Sequence, residues 1–396
     1  MFSKLNKKGF GKLAVMATLI MGFVLLVWYG RNSMKTYEHR YFSKYKNVPE
    51  RVSVPPPSRG SVQQLTKTRT TEENYQNDSR VHIIIIARMS TGSTALGSML
   101  GSGENSFYAY EPGLLFLEFL YHKNVFVDRA SYLQEMQPQL CTFLGDLFKC
   151  NFPSDAYLRG LNNKSSLYRD SGHSLTRLSY PVSREELTSF CRSKSNIISK
   201  VLRFVDIESC LPTLKENKVK LIFLARDPRG MIASRLRRWK PFLRSLADVS
   251  NANYYPTEAI VKEHCDWLDM VYNLLKNGSK WLRENSMLVR FEDLCLYPNI
   301  VGQAIYNFVG LTHSEGDVGK NHNMSATRWL NFKSYANLKE IQDSCPRHVY
   351  DDFGWRWINS EEEFERVKTS SSWYYNELPP GRVALKYKIP KIFDNA

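Results

Sequence analysis

Between His82 and Leu100 the chain reads HIIIIARMSTGSTALGSML, a turn crowded with small residues directly after an apolar run. Glycine lets backbone N–H groups come close to an anion, hydroxyls add donors, and the helix starting near Thr94 contributes its positive end. Arg88, Met89, Ser90, Thr91, Gly92, Ser93 and Thr94 are therefore the candidate anion cradle. The turn fails as a triphosphate loop. Against G-x-x-x-x-G-K-[ST], Gly92 and Gly97 are followed by Ser98 and Met99, so the lysine that grips phosphates is missing. A buried strand running into a small-residue turn explains the loop alone about as well.

A second candidate lies in VKLIFLARDPRG, where Arg226 directly follows an apolar strand. A guanidinium at a strand end can grip a phosphate in bidentate fashion, and Ser234, about two helical turns on, is able to reach the same anion. The following residues Arg229, Arg235, Arg237, Arg238, Lys240 and Arg244 face a single acid, Asp227. From Arg235 onward, a solvated basic helix face is an equally good account. Glu111 closes FYAYEP and is the candidate general base, with a helix N-terminal carboxylate before Pro112 as the alternative. None of the eight histidines sits in a Ser-His-Asp or Cys-His pattern.

Positioning these groups requires a particular kind of fold. Four consecutive β-branched isoleucines suit a strand covered on both faces, and strand-like and helix-like segments then alternate along the chain. Such alternation predicts an α/β protein, a P-loop-like parallel sheet with helices on both faces and ligands at the C-terminal strand ends. Strands are expected at HIIIIA, FYAYEP, NIISKVLRF, VKLIFLA and MLVRF. GLLFLEFLYHK reads as a helix, the stretch from there to about Pro181 as an irregular insertion, and Ser183 with Glu186 as a capping box. The helical pattern from Thr257 to Glu284 has a breaking signal at Asn277-Gly278, and another helix follows Pro298. RFEDL reads as a structural turn opened by Glu292 and Asp293.

The N-terminus has a different character. Leu13 to Tyr29 carries no charge, so residues 13–29 read as an uncleaved single transmembrane anchor after a short tail of residues 1–12, with a cleaved signal peptide as the rival; basic residues flank the run on both sides, so charge leaves the orientation open. Residues 30–80 are polar, contain VPPPSRG, lack an apolar period and read as a stem; residues 81–396 read as the folded domain. Of the formal charge of +15, residues 1–80 supply 14 Lys/Arg against 5 Asp/Glu, which leaves the domain only mildly basic. Net charge therefore gives no support to a nucleic-acid partner. The seven cysteines form no C-x-x-C pair, so no metal site is expected, and in a lumenal domain several should be disulfide-bonded in a pattern that spacing leaves open. N-x-[ST] sequons start at Asn77, Asn163, Asn277 and Asn323.

The loop at 88–94, LARDPRGMIASR, FYAYEPG, LVRFEDLCLYP and SATRWLNF occur in an order that resembles the Golgi carbohydrate sulfotransferases, over about residues 81–357. The resemblance is to enzymes that sulfate 6-hydroxyls of galactose, N-acetylgalactosamine or N-acetylglucosamine in glycosaminoglycan or glycoprotein glycans. It implies a type II Golgi membrane protein, with residues 1–12 a cytoplasmic tail and residues 81–396 in the lumen, using PAPS (3′-phosphoadenosine 5′-phosphosulfate) without an essential metal, with homo-oligomerisation left open. The first loop would take the 5′-phosphosulfate and Arg226 with Ser234 the 3′-phosphate. Arg328 and Trp329 would lie near the nucleotide, Lys200 and Arg203 would face the acceptor, and Glu111, with Arg88, would act on the reacting groups. The family's loop arginine is here Ser90, with Arg88 two residues earlier. A weakly active or inactive glycan-binding member and a P-loop kinase are the competing readings.

Overall fold

The computed structural model describes residues 80–113, 137–162, 178–202, 204–246, 257–312, 326–370 and 385–386. The chain divides into units 1–74 and 75–396, and every described residue belongs to the second. The anticipated tail, anchor and stem, the helix at GLLFLEFLYHK, Arg203 and the sequons at Asn77, Asn163 and Asn323 all lie outside the described residues. Among the described residues, no helix is long and apolar enough to cross a membrane.

Five strands, β1 (Val81–Ala87), β2 (Ser106–Tyr110), β3 (Asn196–Val201), β4 (Lys220–Ala225) and β5 (Ser286–Arg290), form one sheet in the order β2-β3-β1-β4-β5. Every pairing is parallel, with Ile83 opposite Ile198 on one side and Lys220 on the other. The isoleucine run explains itself in this setting. Ile84 and Ile86 enter the hydrophobic cluster on one face, Ile83 and Ile85 the cluster on the other, and all four are fully buried.

The helices follow the strands as the alternation predicts. After β1 comes α1 (Ser93–Gly101), whose Leu96, Met99 and Leu100 join the second cluster. The expected irregular insertion instead contains α2 (Gln137–Phe148) and α3 (Asp155–Asn162). Leu140, Phe143, Leu144 and Leu147 of α2 are buried, an apolar stripe at helical spacing hidden in a polar neighbourhood. Then come α4 (Arg184–Arg192), with the anticipated Ser183–Glu186 capping box, and α5 (Leu211–Glu216) before β4. After β4 run α6 (Pro228–Leu246), α7 (Thr257–Asn277) and α8 (Lys280–Asn285), the break falling at the expected Asn277-Gly278.

RFEDL is a second correction. Phe291 to Leu296 form a short helix, α9, followed by α10 (Pro298–Val309), whose Val301 and Ile305 pack on the α1 face. Arg290 is fully buried and holds Asp293 with paired bonds of 2.7 and 3.1 Å while donating to the Phe353 carbonyl at 3.0 Å, so the motif turns the chain under the sheet edge. The remaining helices are α11 (Tyr335–Asp343), α12 (Arg347–Phe353) and α13 (Glu361–Thr369).

Three disulfides join Cys141 to Cys210, Cys150 to Cys191 and Cys265 to Cys345, and Cys295 is the cysteine left over. Each bridge ties segments 41 to 80 residues apart, and 265–345 fastens α7 to the segment that enters α12. Closing a loop of that length removes much chain entropy from the unfolded ensemble. The double substitution Cys265→Ser/Cys345→Ser should cost about 2–5 kcal/mol, read as a lower denaturation midpoint; an unchanged midpoint would show the bridge to be energetically idle.

Candidate active site

The C-terminal ends of β1, β3 and β4 converge, and each delivers one cation: Arg88, Lys200 and Arg226. β1 and β4 flank the point where the chain's direction of winding reverses, the place where open parallel sheets leave a crevice for ligands. The loop after β1 fills that crevice. Ser90 has φ 69° and Gly92 φ 90°, both left-handed. A Cβ at Gly92 would fall 2.2 Å from the Phe291 ring, so glycine is required there by space as well as by φ. Thr91 is fully buried, and its hydroxyl donates to the Arg88 carbonyl at 2.7 Å, which closes the turn.

α1 begins at Ser93 with Gly92 as its cap residue, which has no side chain to satisfy the first amides. Those N–H groups and the helix dipole lie where the sequence places its candidate cradle, an arrangement chemically suited to an anion. Ser93 is nearly buried at the first helical position, while Met89 stands 41% exposed at the rim of the loop.

Arg226 is placed differently from a simple surface phosphate clamp. It is 3% exposed, its Nη1 donates to the Ser90 carbonyl at 2.8 Å, and its guanidinium lies 4.1 Å from the centroid of the Phe291 ring. The 226 site and the loop site are thus one unit. Burial lowers the affinity of Arg226 for its proton, opposed by the Glu292 carboxylate and reinforced by the neighbouring Arg328. Arg328 in turn lies in the field of Arg237. Arg328 thus links the field of Arg226 to that of Arg237, a run of positive charge suited to an anion. Ser234 is half-buried on α6, next to Arg235.

The second arginine of RDPR is a strut. Arg229 is fully buried, holds Asp227 through contacts of 2.6 to 3.0 Å, donates to Gln342 and the Arg356 carbonyl, and lies 4.1 Å from the Trp329 ring centroid. Trp329 is itself fully buried in the core, so it is a wall behind the site rather than a nucleotide contact; Arg328, beside it, is the half-exposed member.

On the other flank, Lys200 is 1% exposed. Its ammonium sits 2.7 Å from Glu111, 3.3 Å from the Thr94 hydroxyl and 3.7 Å from the Tyr110 ring centroid. The acceptor-facing role anticipated for Lys200 gives way to this inward one, because β3 lies between β1 and β2 and aims the side chain beneath the loop. Glu111 has φ 40°, a strained value for a residue other than glycine that turns its carboxylate toward Lys200. Arg88 pairs with Glu263 of α7.

Sequence patterns missed Phe291, Glu263 and His264, and read Glu292 only as part of a structural turn. Glu292 is fully buried and accepts from the Asp227 amide at 3.0 Å and from Trp355 Nε1 at 3.2 Å. Burial, then Asp227, pushes its carboxyl up to about 7 against the pull of Arg226. His264 Nε2 meets the Arg226 carbonyl at 2.9 Å. Apart from the site, Asp269, His348 and Asp352 bring potential ligand atoms within 4.8 Å of one another, a grouping across α7 and α12 that no sequence spacing reveals.

A parallel sheet whose central strand feeds a glycine-bearing loop and an uncapped helix, flanked by arginines, defines an α/β protein whose strand ends are chemically suited to an anion. Residues 80–388 match the model of the sulfotransferase domain, and the chain belongs to that family: it is a sulfotransferase. It is 24% identical over 357 residues to carbohydrate sulfotransferase 1 of Danio rerio, covering 75% of this chain and 83% of that one. Similarity to carbohydrate sulfotransferase 6 of Homo sapiens is 24% over 338 residues, covering 72% and 83%. Among solved structures, mouse sulfotransferase SULT7A1 complexed with PAP matches with a TM-score of 0.33 and 11% identity, covering 72% of this chain and 89% of that one.

The raised carboxyl of Glu292 has a stability consequence with a definite sign. Between pH about 4.5 and about 7 the folded chain keeps a proton that the unfolded chain releases, so stability falls as pH rises through that window. Glu292→Gln should flatten this slope, gaining on the parent chain between pH 5 and 8 in thermal unfolding; parallel curves would rule out a buried, proton-holding Glu292.

Proposed function

We propose that the chain transfers the sulfonyl group of PAPS to the 6-hydroxyl of a galactose, N-acetylgalactosamine or N-acetylglucosamine residue in a glycosaminoglycan or glycoprotein glycan. The observation that carries this reading is the Lys200 bridge between Glu111 and the hydroxyl of Thr94. It joins a carboxylate able to accept a proton to the loop that holds an anion, with the cation lying between them. The carbohydrate acceptor is supported by similarity to the carbohydrate sulfotransferases, and the 6-hydroxyl by the motif order across residues 81–357.

The residues divide the work. The first amides of α1, with Ser93 and Thr94, bind the sulfonate and 5′-phosphate end; Arg226, Ser234 and Arg328 bind the 3′-phosphate. Glu111 takes the proton of the acceptor hydroxyl. As its carboxylate is neutralised, Lys200 loses its counter-charge and its ammonium is released to stabilise charge growing on the leaving phosphate side. Proton removal and leaving-group stabilisation are coupled through one ammonium. The lysine absent after Gly97 is thereby supplied from β3, where it meets the loop through Thr94. PAPS supplies the sulfonyl group, and the chain contributes orientation, a base and positive charge.

The N-terminal apolar segment, together with three disulfides, supports a type II Golgi membrane protein with residues 81–396 in the lumen, since such bridges persist in oxidising compartments. The sequon Asn277 lies exposed at the C-terminal end of α7, accessible for lumenal glycosylation.

The test is transfer of label from PAPS to galactose-, N-acetylgalactosamine- and N-acetylglucosamine-bearing acceptors by the purified full-length chain. Label is expected at a 6-hydroxyl, and no transfer to any acceptor would refute the reading. Glu111→Gln should lower kcat by about 10²–10⁴-fold with donor KM little changed. Lys200→Met should lower kcat and weaken donor binding, because it serves both groups. Full activity in either variant would remove that residue from the chemistry.

A further inference from the structure

α7 reaches the donor site through two consecutive residues, and the transfer chemistry uses neither. Glu263 pairs with Arg88 at the end of β1, and His264 meets the backbone of Arg226 at the end of β4. One helical turn therefore touches both strand ends that flank the crevice.

The two contacts differ in kind. A carbonyl oxygen only accepts, so the His264 ring proton lies on Nε2 and the buried Nδ1 keeps its lone pair. The ring is 2% exposed and stacked 6.0 Å from Trp267, with Arg88, Arg226 and Arg235 as its charged neighbours. Burial, and then those arginines, drive its protonation down to about 3, so it stays neutral at working pH. It is a fixed donor to the segment from which Arg226 projects.

Glu263 is the unexpected member. A carboxylate beside a polyanion site opposes ligand entry, yet it sits on the guanidinium of Arg88, the residue that opens the loop after β1. Arg88 is only 16% exposed and needs a counter-charge, whereas Glu263 remains 67% exposed. An exposed pair of this kind is worth about 1 kcal/mol or less, because water solvates the carboxylate once it is released. Such a contact is strong enough to direct Arg88 and weak enough to be exchanged.

We propose that Glu263 is a positioning residue, a placeholder counter-ion that holds Arg88 at the loop entrance and cedes it to the anionic donor, while His264 keeps the end of β4 fixed during the exchange. This rests on the donor-site reading given above. It also gives Arg88 a task although its position is two residues from the family's loop arginine.

Binding of adenosine 3′,5′-bisphosphate to the full-length chain, measured by calorimetry at low and high salt, tests the exchange. Glu263→Gln should bind about two- to fivefold more tightly at low salt, and the gain should fade as salt screens the pair. In an Arg88→Gln background the same substitution should change nothing. Unchanged or weaker binding by Glu263→Gln, or an equal gain without Arg88, overturns the proposal; the latter outcome would mark a long-range charge effect. If the parent chain binds no nucleotide, the donor-site reading falls and this one with it. If the parent binds and Glu263→Gln is silent, only the placeholder role is lost. For His264, Asn retains a side-chain N–H donor and should keep donor KM near the parent value, whereas Phe should raise it about tenfold. Equal KM values for the two would remove His264, and a Phe variant that fails to fold leaves the Glu263 measurements decisive.

Discussion

The site depends first on where one buried guanidinium is held. Arg226 lies against the face of Phe291 while donating to the Ser90 carbonyl, so β4, the loop after β1 and the start of α9 meet on a single side chain. Phe291 also occupies the space that a side chain at Gly92 would need. The left-handed glycine, the aromatic wall and the arginine are therefore mutually required. Truncating Phe291 or Arg226 leaves a void, and adding a side chain at Gly92 forces a clash in a left-handed backbone; each is among the costly defects of a folded interior.

Around that centre the charges are arranged in pairs with different degrees of commitment. Asp227 with Arg229 and Arg290 with Asp293 are fully buried and tied to the C-terminal helices through Gln342, Arg356 and Phe353. Pairs of this kind fix geometry, since breaking one strands a charge in a low-dielectric interior. Lys200 with Glu111 is nearly as buried, but it faces the loop through Thr94 and so couples the charge state of the acid to the anion cradle. Arg88 with Glu263 is the exposed extreme. Moving from RDPR toward the loop, the ion pairs pass from fully buried to partly exposed.

Much of this was legible from residue types alone. The isoleucine run had to be a strand covered on both sides, and the small residues after it had to be a turn into a helix. Arg226 was marked by its place directly after LIFLA, and Glu111 by its place before Pro112. The insertion misled because its apolar positions, Leu140, Phe143, Leu144 and Leu147, sit among polar residues and far from any cap signal. RFEDL misled because acids after a strand suit a turn and a short helix equally; burial of Arg290 against Asp293 selects the helix. Lys200 could be noticed but not assigned, since its partners are 89 and 106 residues away in sequence.

By itself, then, the sequence determined the alternating elements, the small-residue loop after the first strand and the identity of the strand-end groups, because periodicity, glycine placement and strand termini are local properties. Which groups meet was decided only by tertiary structure. The strand order places β3 between β2 and β1, which delivers Lys200 to both Glu111 and Thr94. The packing of α7 sets Glu263 on Arg88 and His264 on Arg226, and the disulfide pairing follows from distances that spacing does not encode. Ion pairs and hydrogen bonds act over a few ångströms, and that proximity between distant segments exists only once the sheet has set their order.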